Sequence, residues 1–179
     1  MDWDAYFAGF AEWAAKKSKD STQVGAALVG PEGEVRLTGF NGPPRGVQDT
    51  PERRERPAKY LFASHAEANL IAFAAREGIR TEGCRVYTTH FCCSGCARTL
   101  IQAGVKGVFV GAGRTSMPDE EFAAAHQMFV EAGVEVHGAC QSRQFGDTTK
   151  CAACRLVWDT NDADPPRCPL LADLRNPNR

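Results

Sequence analysis

Two Cys-x-x-Cys pairs, Cys93/Cys96 and Cys151/Cys154, constrain the fold of this 179-residue chain more than any other feature. They belong to a set of eight cysteines, at positions 84, 92, 93, 96, 140, 151, 154 and 168. A disulfide framework is typical of small secreted proteins, and residues 1–4 carry neither the basic nor the apolar region of a signal peptide. We therefore expect a cytoplasmic protein whose clustered cysteines bind metal or take part in chemistry.

Composition narrows the range of partners. The chain carries 21 basic and 22 acidic residues, a net charge of −1, so no overall attraction to nucleic acid or to anionic lipid is expected. No window approaches 18 consecutive apolar residues, so no membrane partner is expected either. A hydrophobic fraction of 43% in a chain of this length is enough for a core that needs no disulfides.

Hydrophobic periodicity predicts an α/β fold. The predicted order is helix 3–17, strands 23–30 and 34–40, a proline-rich loop over 41–64, helix 65–76, strand 84–89, helix 93–103, strand 105–110, helix 118–132 and strand 134–137. The alternation of strands and helices from residue 84 onward implies parallel pairing. Residues 1–137 are therefore predicted to form one domain, and residues 138–179 a Cys-rich extension with too few apolar residues for a core of its own.

The residue types at the starts of two predicted helices indicate a catalytic metal site. His65 and Glu67 open one helix, and Cys93 and Cys96 open another. Cysteines three positions apart lie on one helical face, where the helix dipole favours thiolates. One imidazole and two thiolates supply three ligands to zinc and leave the fourth tetrahedral position for water. Glu67 lies within one turn of His65, close enough to exchange protons with that water.

His-x-Glu followed by Cys-x-x-Cys is close to the signature of zinc deaminases, and five stretches carry the resemblance further. They are residues 20–26 (DSTQVGA), 39–42 (GFNG), 65–69 (HAEAN), 86–90 (VYTTH) and 101–105 (IQAGV). Over residues 1–137 the chain resembles the deoxycytidylate (dCMP) deaminases of the cytidine deaminase superfamily. The resemblance implies a three-layer fold, a mixed five-stranded sheet with helices on both faces, usually in a homo-oligomer.

The resemblance also implies the reaction, hydrolytic deamination of dCMP to dUMP and ammonia. His65, Cys93 and Cys96 would bind zinc, and Glu67 would carry a proton from water to ring nitrogen N3 and later to the departing amine. Members of this family are often activated by dCTP and inhibited by dTTP. Residues 39–42 are the first place to look for a site for such effectors.

Three residues are candidates for substrate contacts. Asn41 matches the asparagine that grips the nucleoside in this family, and the backbone N–H of Ala66 is expected to touch the pyrimidine ring. Arg45, just after Asn41, is our candidate for a phosphate contact, with a solvated loop charge as the alternative.

One position departs from the family. A proline usually precedes the first cysteine of the pair, and this chain has Cys92 there. Loss of the proline could soften the site or let Cys92 compete with Cys93 as a ligand. A softened wall could also admit a 5-substituted cytosine, such as that of 5-methyl-dCMP.

The Cys-rich extension is predicted to hold a second, structural zinc. Its four thiols, from Cys140, Cys151, Cys154 and Cys168, would make a closed all-thiolate site, with His137 as a substitute ligand. Cys151, Cys154 and Cys168 resemble a zinc-ribbon knuckle pair that lacks its last cysteine. Metal binding would order a segment that has no core, whereas free thiols in a mobile tail are the alternative.

Two other functions remain open at this point. A polynucleotide deaminase, acting on tRNA adenosine or on cytosine in single-stranded DNA, needs a basic track along the backbone. Residues 45–59 carry five basic and three acidic side chains, which suit one phosphate better than a strand. A non-catalytic zinc-binding interaction module is the second alternative, and Glu67 argues against it because a structural site has no use for a proton carrier.

Overall fold

The computed structural model describes residues 1–138 throughout and, beyond them, the backbone of three strands at residues 142–145, 148–151 and 157–159. Residues 1–138 contain six helices and five strands. In chain order these are α1 (Trp3–Ala15), β1 (Gly25–Val29), β2 (Val35–Phe40), α2 (Pro51–Arg54), α3 (Lys59–Phe62), α4 (Ala66–Glu77), β3 (Arg85–His90), α5 (Ser94–Gln102), β4 (Gly107–Gly113), α6 (Asp119–Glu131) and β5 (Glu135–Gly138). The predicted order of long helices and strands is confirmed.

The five strands form one mixed sheet in the order β2-β1-β3-β4-β5. β1 pairs antiparallel with both β2 and β3. β3 pairs parallel with β4, and β4 pairs parallel with β5, as the alternation of strands and helices predicted. Because the two parallel connections each contain a helix, α5 and α6 begin near the ends of β3 and β4, where they can present side chains to a common site.

Helices cover both faces of the sheet, and alternate residues of β1 show the division. Leu28 belongs to the larger core, with Leu70 of α4, Leu100 of α5 and Phe129 of α6. The next residue, Val29, belongs to the smaller core under α1. This alternation is what a strand buried on both faces requires.

A glycine lets α1 approach the sheet closely. A Cβ atom added at Gly25 would lie 2.0 Å from the carbonyl oxygen of Ala11 in α1, so a side chain there would push the helix away. Next to this contact Tyr87 stacks on Phe109, with ring centroids 4.4 Å apart, and Phe109 stacks on His137 at the same distance. His137, the substitute ligand predicted for the tail zinc, therefore packs on the sheet domain.

The segment 41–64, predicted as one long loop, contains the one-turn helices α2 and α3. Less of it is irregular than we predicted. Pro51 occupies the start of α2, where its missing N–H costs nothing, and Pro57 precedes α3. The base of the loop is closed by reciprocal hydrogen bonds between Gly42 and Ser64, 3.0 and 2.9 Å long. This bridge brings Asn41 near His65, although 24 positions separate them in sequence.

The C-terminal strands form a separate three-stranded antiparallel sheet. Its strands are β6 (Ser142–Phe145), β7 (Thr148–Cys151) and β8 (Val157–Asp159), in the order β6-β7-β8. Cys151 ends β7, while Cys140, Cys154 and Cys168 lie outside the described residues. The tail zinc site therefore stays a prediction. Within the described chain no helix combines the length and apolarity needed to span a membrane.

Candidate active site and metal centre

The N-termini of α4 and α5 meet at one point, and each begins with a possible metal ligand. His65 is the N-cap residue of α4, and Cys93 is the N-cap residue of α5. The His65 Nδ1 atom lies 3.3 Å from the Cys93 Sγ atom and 3.4 Å from the Cys96 Sγ atom. All three donor atoms lie within 4.8 Å of one another. The fold therefore brings together the three ligands that the sequence predicted.

These distances fit zinc. A tetrahedral zinc with bonds of roughly 2.3 Å to sulfur and 2.0 Å to nitrogen holds those two ligand atoms about 3.5 Å apart. The observed separations of 3.3 and 3.4 Å are close to this value. Cys93 and Cys96 are buried and His65 is exposed, so the donor set is open on the side of the imidazole. A set of three donors with one open side is typical of a catalytic zinc site.

Of the three donor groups, Cys93 is the one whose pKa is shifted toward its metal-binding form. A hydrogen bond from the Cys96 thiol lowers the pKa of Cys93, because the proton shared by the two sulfurs stabilises the Cys93 thiolate. Hydrogen bonds with Cys93 in turn raise the pKa of His65 and of Cys96, so both groups have to lose a proton when a metal binds. Both cysteines lie in the first turn of α5, where the positive end of the helix dipole stabilises negative sulfur.

Glu67 lies beneath the donor set, almost fully buried at 3% exposure. Its Oε2 atom is 3.4 Å from the Cys96 Sγ atom, and its Oε1 atom accepts a hydrogen bond of 3.3 Å from the Thr88 hydroxyl. Burial raises the pKa of the Glu67 carboxyl group, which brings it closer to that of a group able to both accept and donate a proton. Ala66, between His65 and Glu67, is fully buried at the first position of α4.

Cys92 belongs to the hydrophobic core and not to the donor set, although its thiol is hydrogen-bonded with Glu67. It is 1% exposed and belongs to the same cluster as Leu100. Burial raises the pKa of its thiol well above the ordinary value, which disfavours the thiolate that a metal ligand requires. Among the described residues, the cluster able to hold a metal contains Cys93 and Cys96 but not Cys92.

A cavity opens directly above Glu67 and the donor set. His65, Glu67 and Cys93 line its inner end, and Phe91, Met117 and Phe122 line an apolar wall. Phe91 and Phe122 pack edge to face, with centroids 6.2 Å apart. An apolar slot that ends in a few polar groups suits a flat ring with exocyclic polar atoms.

The mouth of this cavity is polar. The exposed Arg56 and Ser116 lie there, and an Arg56 Nη2 atom donates a 3.0 Å hydrogen bond to the Ser116 hydroxyl. The apolar wall can therefore bind a ring, while the basic group at the mouth can bind an anion.

Asn41 lines the cavity and also holds the chain that leads into β1. Its Oδ1 atom accepts from the Val24 N–H at 2.8 Å, and its Nδ2 group donates to the Thr22 carbonyl at 2.9 Å. Each end of the amide keeps a second hydrogen-bonding position, so Asn41 can still contact a ligand.

Arg45 lies in a second cavity. There its guanidinium group stacks over the Phe73 ring, 4.5 Å from the centroid. The second cavity is larger, about 570 Å³ against about 130 Å³ for the first. Its lining includes seven basic residues and two acidic ones: Lys17, Lys19, Arg45, Arg53, Arg54, Lys59 and Arg76 with Asp20 and Asp49. Arg56, which the sequence marks only as one basic residue of the 45–59 loop, lies in the first cavity, where we expected Arg45.

A buried ion pair stands between the two cavities. The Lys59 ammonium lies 2.6 Å from the Asp20 carboxylate, and both side chains are at most 10% exposed. Burial opposes ionisation of Asp20, yet hydrogen bonds from Lys59 and Thr22 lower its pKa overall. Asp20, Lys59 and Asn41 each line both cavities. They therefore form part of a shared wall.

Comparison with protein families agrees with this geometry. Residues 1–112 match the family described as "Cytidine and deoxycytidylate deaminase zinc-binding region". This range contains the whole donor set, Glu67 and Asn41.

Individual relatives extend the similarity. A protein of Aliivibrio fischeri named "Uncharacterized deaminase in luxG 3'region" is 41% identical over 138 residues, which cover 75% of this chain and 91% of that protein. The deoxycytidylate deaminase of Homo sapiens is 36% identical over 172 residues, covering 92% of this chain and 90% of that one. The crystal structure of dCMP deaminase from the cyanophage S-TIM5 in complex with dCMP and dUMP superposes with a TM-score of 0.61 at 26% identity, over 75% of this chain and 95% of that chain.

If the donor set binds zinc, the zinc content of the protein depends on both of its thiols. We expect Cys96→Ser to lower the zinc content of the full chain by one equivalent per protomer, because it removes one of three ligands. Elemental analysis after dialysis measures this. Cys84→Ser is the matched control, since Cys84 is also buried but lies outside the donor set. Equal zinc contents in wild type and Cys96→Ser would contradict the assignment.

Proposed function

The chain belongs to the cytidine and deoxycytidylate deaminase family, and from this premise we propose that it deaminates dCMP to dUMP and ammonia with one zinc held by His65, Cys93 and Cys96. The observation that carries the proposal is the position of Glu67, buried at the inner end of the cavity and in contact with Cys96. A purely structural zinc site has no use for a buried carboxylate on its open side.

Zinc, when bound, supplies a Lewis acid that lowers the pKa of a water molecule to about 7. Glu67 accepts the proton that this water loses and passes it to N3 of the cytosine ring. The resulting hydroxide adds to C4. Glu67 then takes the proton of the new C4 hydroxyl group and gives it to the amine as the C4–N4 bond breaks, so that dCMP and water give dUMP and ammonia. Thr88 holds the Glu67 carboxylate in place through its hydroxyl group.

The rest of the cavity supports a pyrimidine nucleotide as substrate. The ring packs against the apolar wall that Phe91 and Phe122 line, and Asn41 contacts the nucleoside. The backbone N–H of Ala66, the residue between His65 and Glu67, is the further contact that we expect for the pyrimidine. Arg56, near Ser116 at the mouth, binds the 5′-phosphate. This arrangement replaces Arg45 as the phosphate contact, since Arg45 lies in the second cavity.

The substrate range follows from the apolar wall. A 5-methyl group of the cytosine would lie against apolar side chains, so 5-methyl-dCMP is a second substrate in this proposal. Cys92 does not supply the room, because among the described residues it is a core residue rather than part of the cavity lining. A polynucleotide is less well supported, because the basic side chains that the structure describes gather around the two cavities and form local anion sites, not an extended track.

The second cavity supports an effector site. A nucleoside triphosphate carries about four negative charges at neutral pH, counting about −2 on its last phosphate. The second cavity has seven basic and two acidic lining residues, so a net charge of +5 faces it even after Asp20 and Asp49 are paired. This charge suits a triphosphate better than it suits a monophosphate. We therefore assign dCTP and dTTP, the expected effectors, to this cavity. A homo-oligomer remains our prediction for the quaternary state, as does a cytoplasmic location.

Replacing Glu67 tests the mechanism. We expect Glu67→Gln to lower kcat for dCMP by about 10³-fold, within the range for loss of a general acid–base, because the amide cannot carry the proton. Ammonia release measures turnover, and zinc content should stay at the wild-type value. Glu77→Gln, at the exposed end of the same helix, is the control and should be fully active.

The same assay compares substrates. Ammonia release should be fastest with dCMP, should be measurable with 5-methyl-dCMP, and should be at background with an RNA hairpin or single-stranded DNA. Faster turnover of either polynucleotide than of dCMP would favour the polynucleotide alternative. Wild-type turnover by Glu67→Gln would mean that the proton takes another path.

Arg56 and Arg45 should separate substrate from effector. We expect Arg56→Ala to raise KM for dCMP about tenfold or more, because it removes a charged contact to phosphate, and to leave deoxycytidine turnover unchanged. Arg45→Ala should leave KM for dCMP unchanged and raise, about tenfold, the dTTP concentration that halves the rate. Steady-state kinetics with and without dTTP measure both effects. The reverse pattern would return the phosphate contact to Arg45.

A further inference from the structure

We infer that Glu121 of α6 is a positioning residue for the metal centre, because it caps the N-terminus of α5 in place of Cys93. This inference rests on the proposed zinc centre. It concerns a residue outside the ligand set, 25 positions beyond Cys96 in sequence and on a different helix.

The need for such a residue follows from where Cys93 lies. A helix begins with four backbone N–H groups that have no partner in the helix, and the N-cap side chain usually accepts a hydrogen bond from one of them. Cys93 has the extended backbone of an N-cap residue, with φ −75° and ψ 170°, but within the described chain its side chain makes no capping hydrogen bond. Its sulfur instead lies 3.3 Å from His65 Nδ1. Because the Cys93 sulfur points to the proposed zinc centre, it does not cap the helix.

Glu121 supplies the missing acceptor from outside the helix. Its Oε2 atom accepts from the backbone N–H of Ser94 at 3.2 Å, and the Ser94 hydroxyl donates a short hydrogen bond to the same oxygen. Ser94 is the first residue of α5 and the direct neighbour of Cys93. A carboxylate at this end of a helix is also favoured by the helix dipole.

The surroundings fit a positioning role. Glu121 is half-buried, and Arg98, one turn further along α5, donates to the Ser94 hydroxyl at 3.4 Å. The residue after Glu121 is Phe122, which is 3% exposed and lines the apolar wall of the cavity. The start of α6 is therefore anchored in the core on one side and bonded to the start of α5 on the other. Loss of the Glu121 carboxylate would free the first turn of α5, which carries both sulfur ligands.

The test measures how fast zinc leaves the protein. We expect Glu121→Ala to release zinc to a coloured chelator about 10- to 100-fold faster than wild type, in proportion to the loss of metal affinity that is typical when residues that orient metal ligands are replaced. Glu121→Gln should stay close to wild type, because its amide oxygen still accepts from the Ser94 N–H and hydroxyl groups. Glu120→Ala, an exposed neighbour on the same helix, is the matched control.

The outcomes separate this inference from the proposed function. Zinc release from Glu121→Ala at the rate of Glu120→Ala would overturn the capping role, and so would equal losses in Glu121→Gln and Glu121→Ala. If Glu121→Ala does not fold, Ser94→Ala replaces it, because it removes the hydroxyl partner alone and should release zinc faster than Glu120→Ala. Cys96→Ser reports on the centre itself: if it retains zinc as wild type does, the proposed ligand set is wrong, whatever Glu121 does.

Discussion

The convergence of two helix N-termini is the constraint on which the rest of this structure depends. α4 and α5 direct their unpaired N–H groups and positive dipole ends toward the same point, where Cys93, Cys96 and His65 meet. Two sulfur atoms can carry negative charge there because the helix ends stabilise it. The sheet order supports this arrangement, since the parallel pairing of β3 and β4 fixes where α5 begins.

The convergence of the two helix ends also determines which groups neighbouring residues have to supply. N-cap positions that carry ligands give up their capping role, so the start of α5 is bonded to α6 instead. A carboxyl group below the ligands has to be buried, and Glu67 is stabilised there by the Thr88 hydroxyl and the Cys96 sulfur. Burial of an isolated carboxylate is costly, so its presence in this core is better explained by chemistry than by stability.

The features that could be predicted from the sequence are those that depend on residues close together in the chain. The order of long helices and strands follows from hydrophobic periodicity, and the ligand set follows from short motifs at helix starts, because both depend on residues a few positions apart. Arg56 and Arg45 could not be told apart, since the path of the 41–64 loop is set by the Gly42–Ser64 bridge and by its short helices. Glu121 carried no signal beyond an acidic helix start, because its partner Ser94 is 27 positions away.

The shared wall between the two cavities has a thermodynamic consequence. Asp20 and Lys59 form a buried ion pair that faces both spaces, and Asn41 lines both as well. Any ligand that shifts these side chains from one side alters the binding surface on the other. Linkage is reciprocal, so the factor by which an occupant of one cavity changes affinity in its neighbour must be the factor that acts in return. A nucleotide bound in the first cavity would then change the affinity of the basic cavity for its ligand by the same factor by which that ligand changes the affinity for the nucleotide.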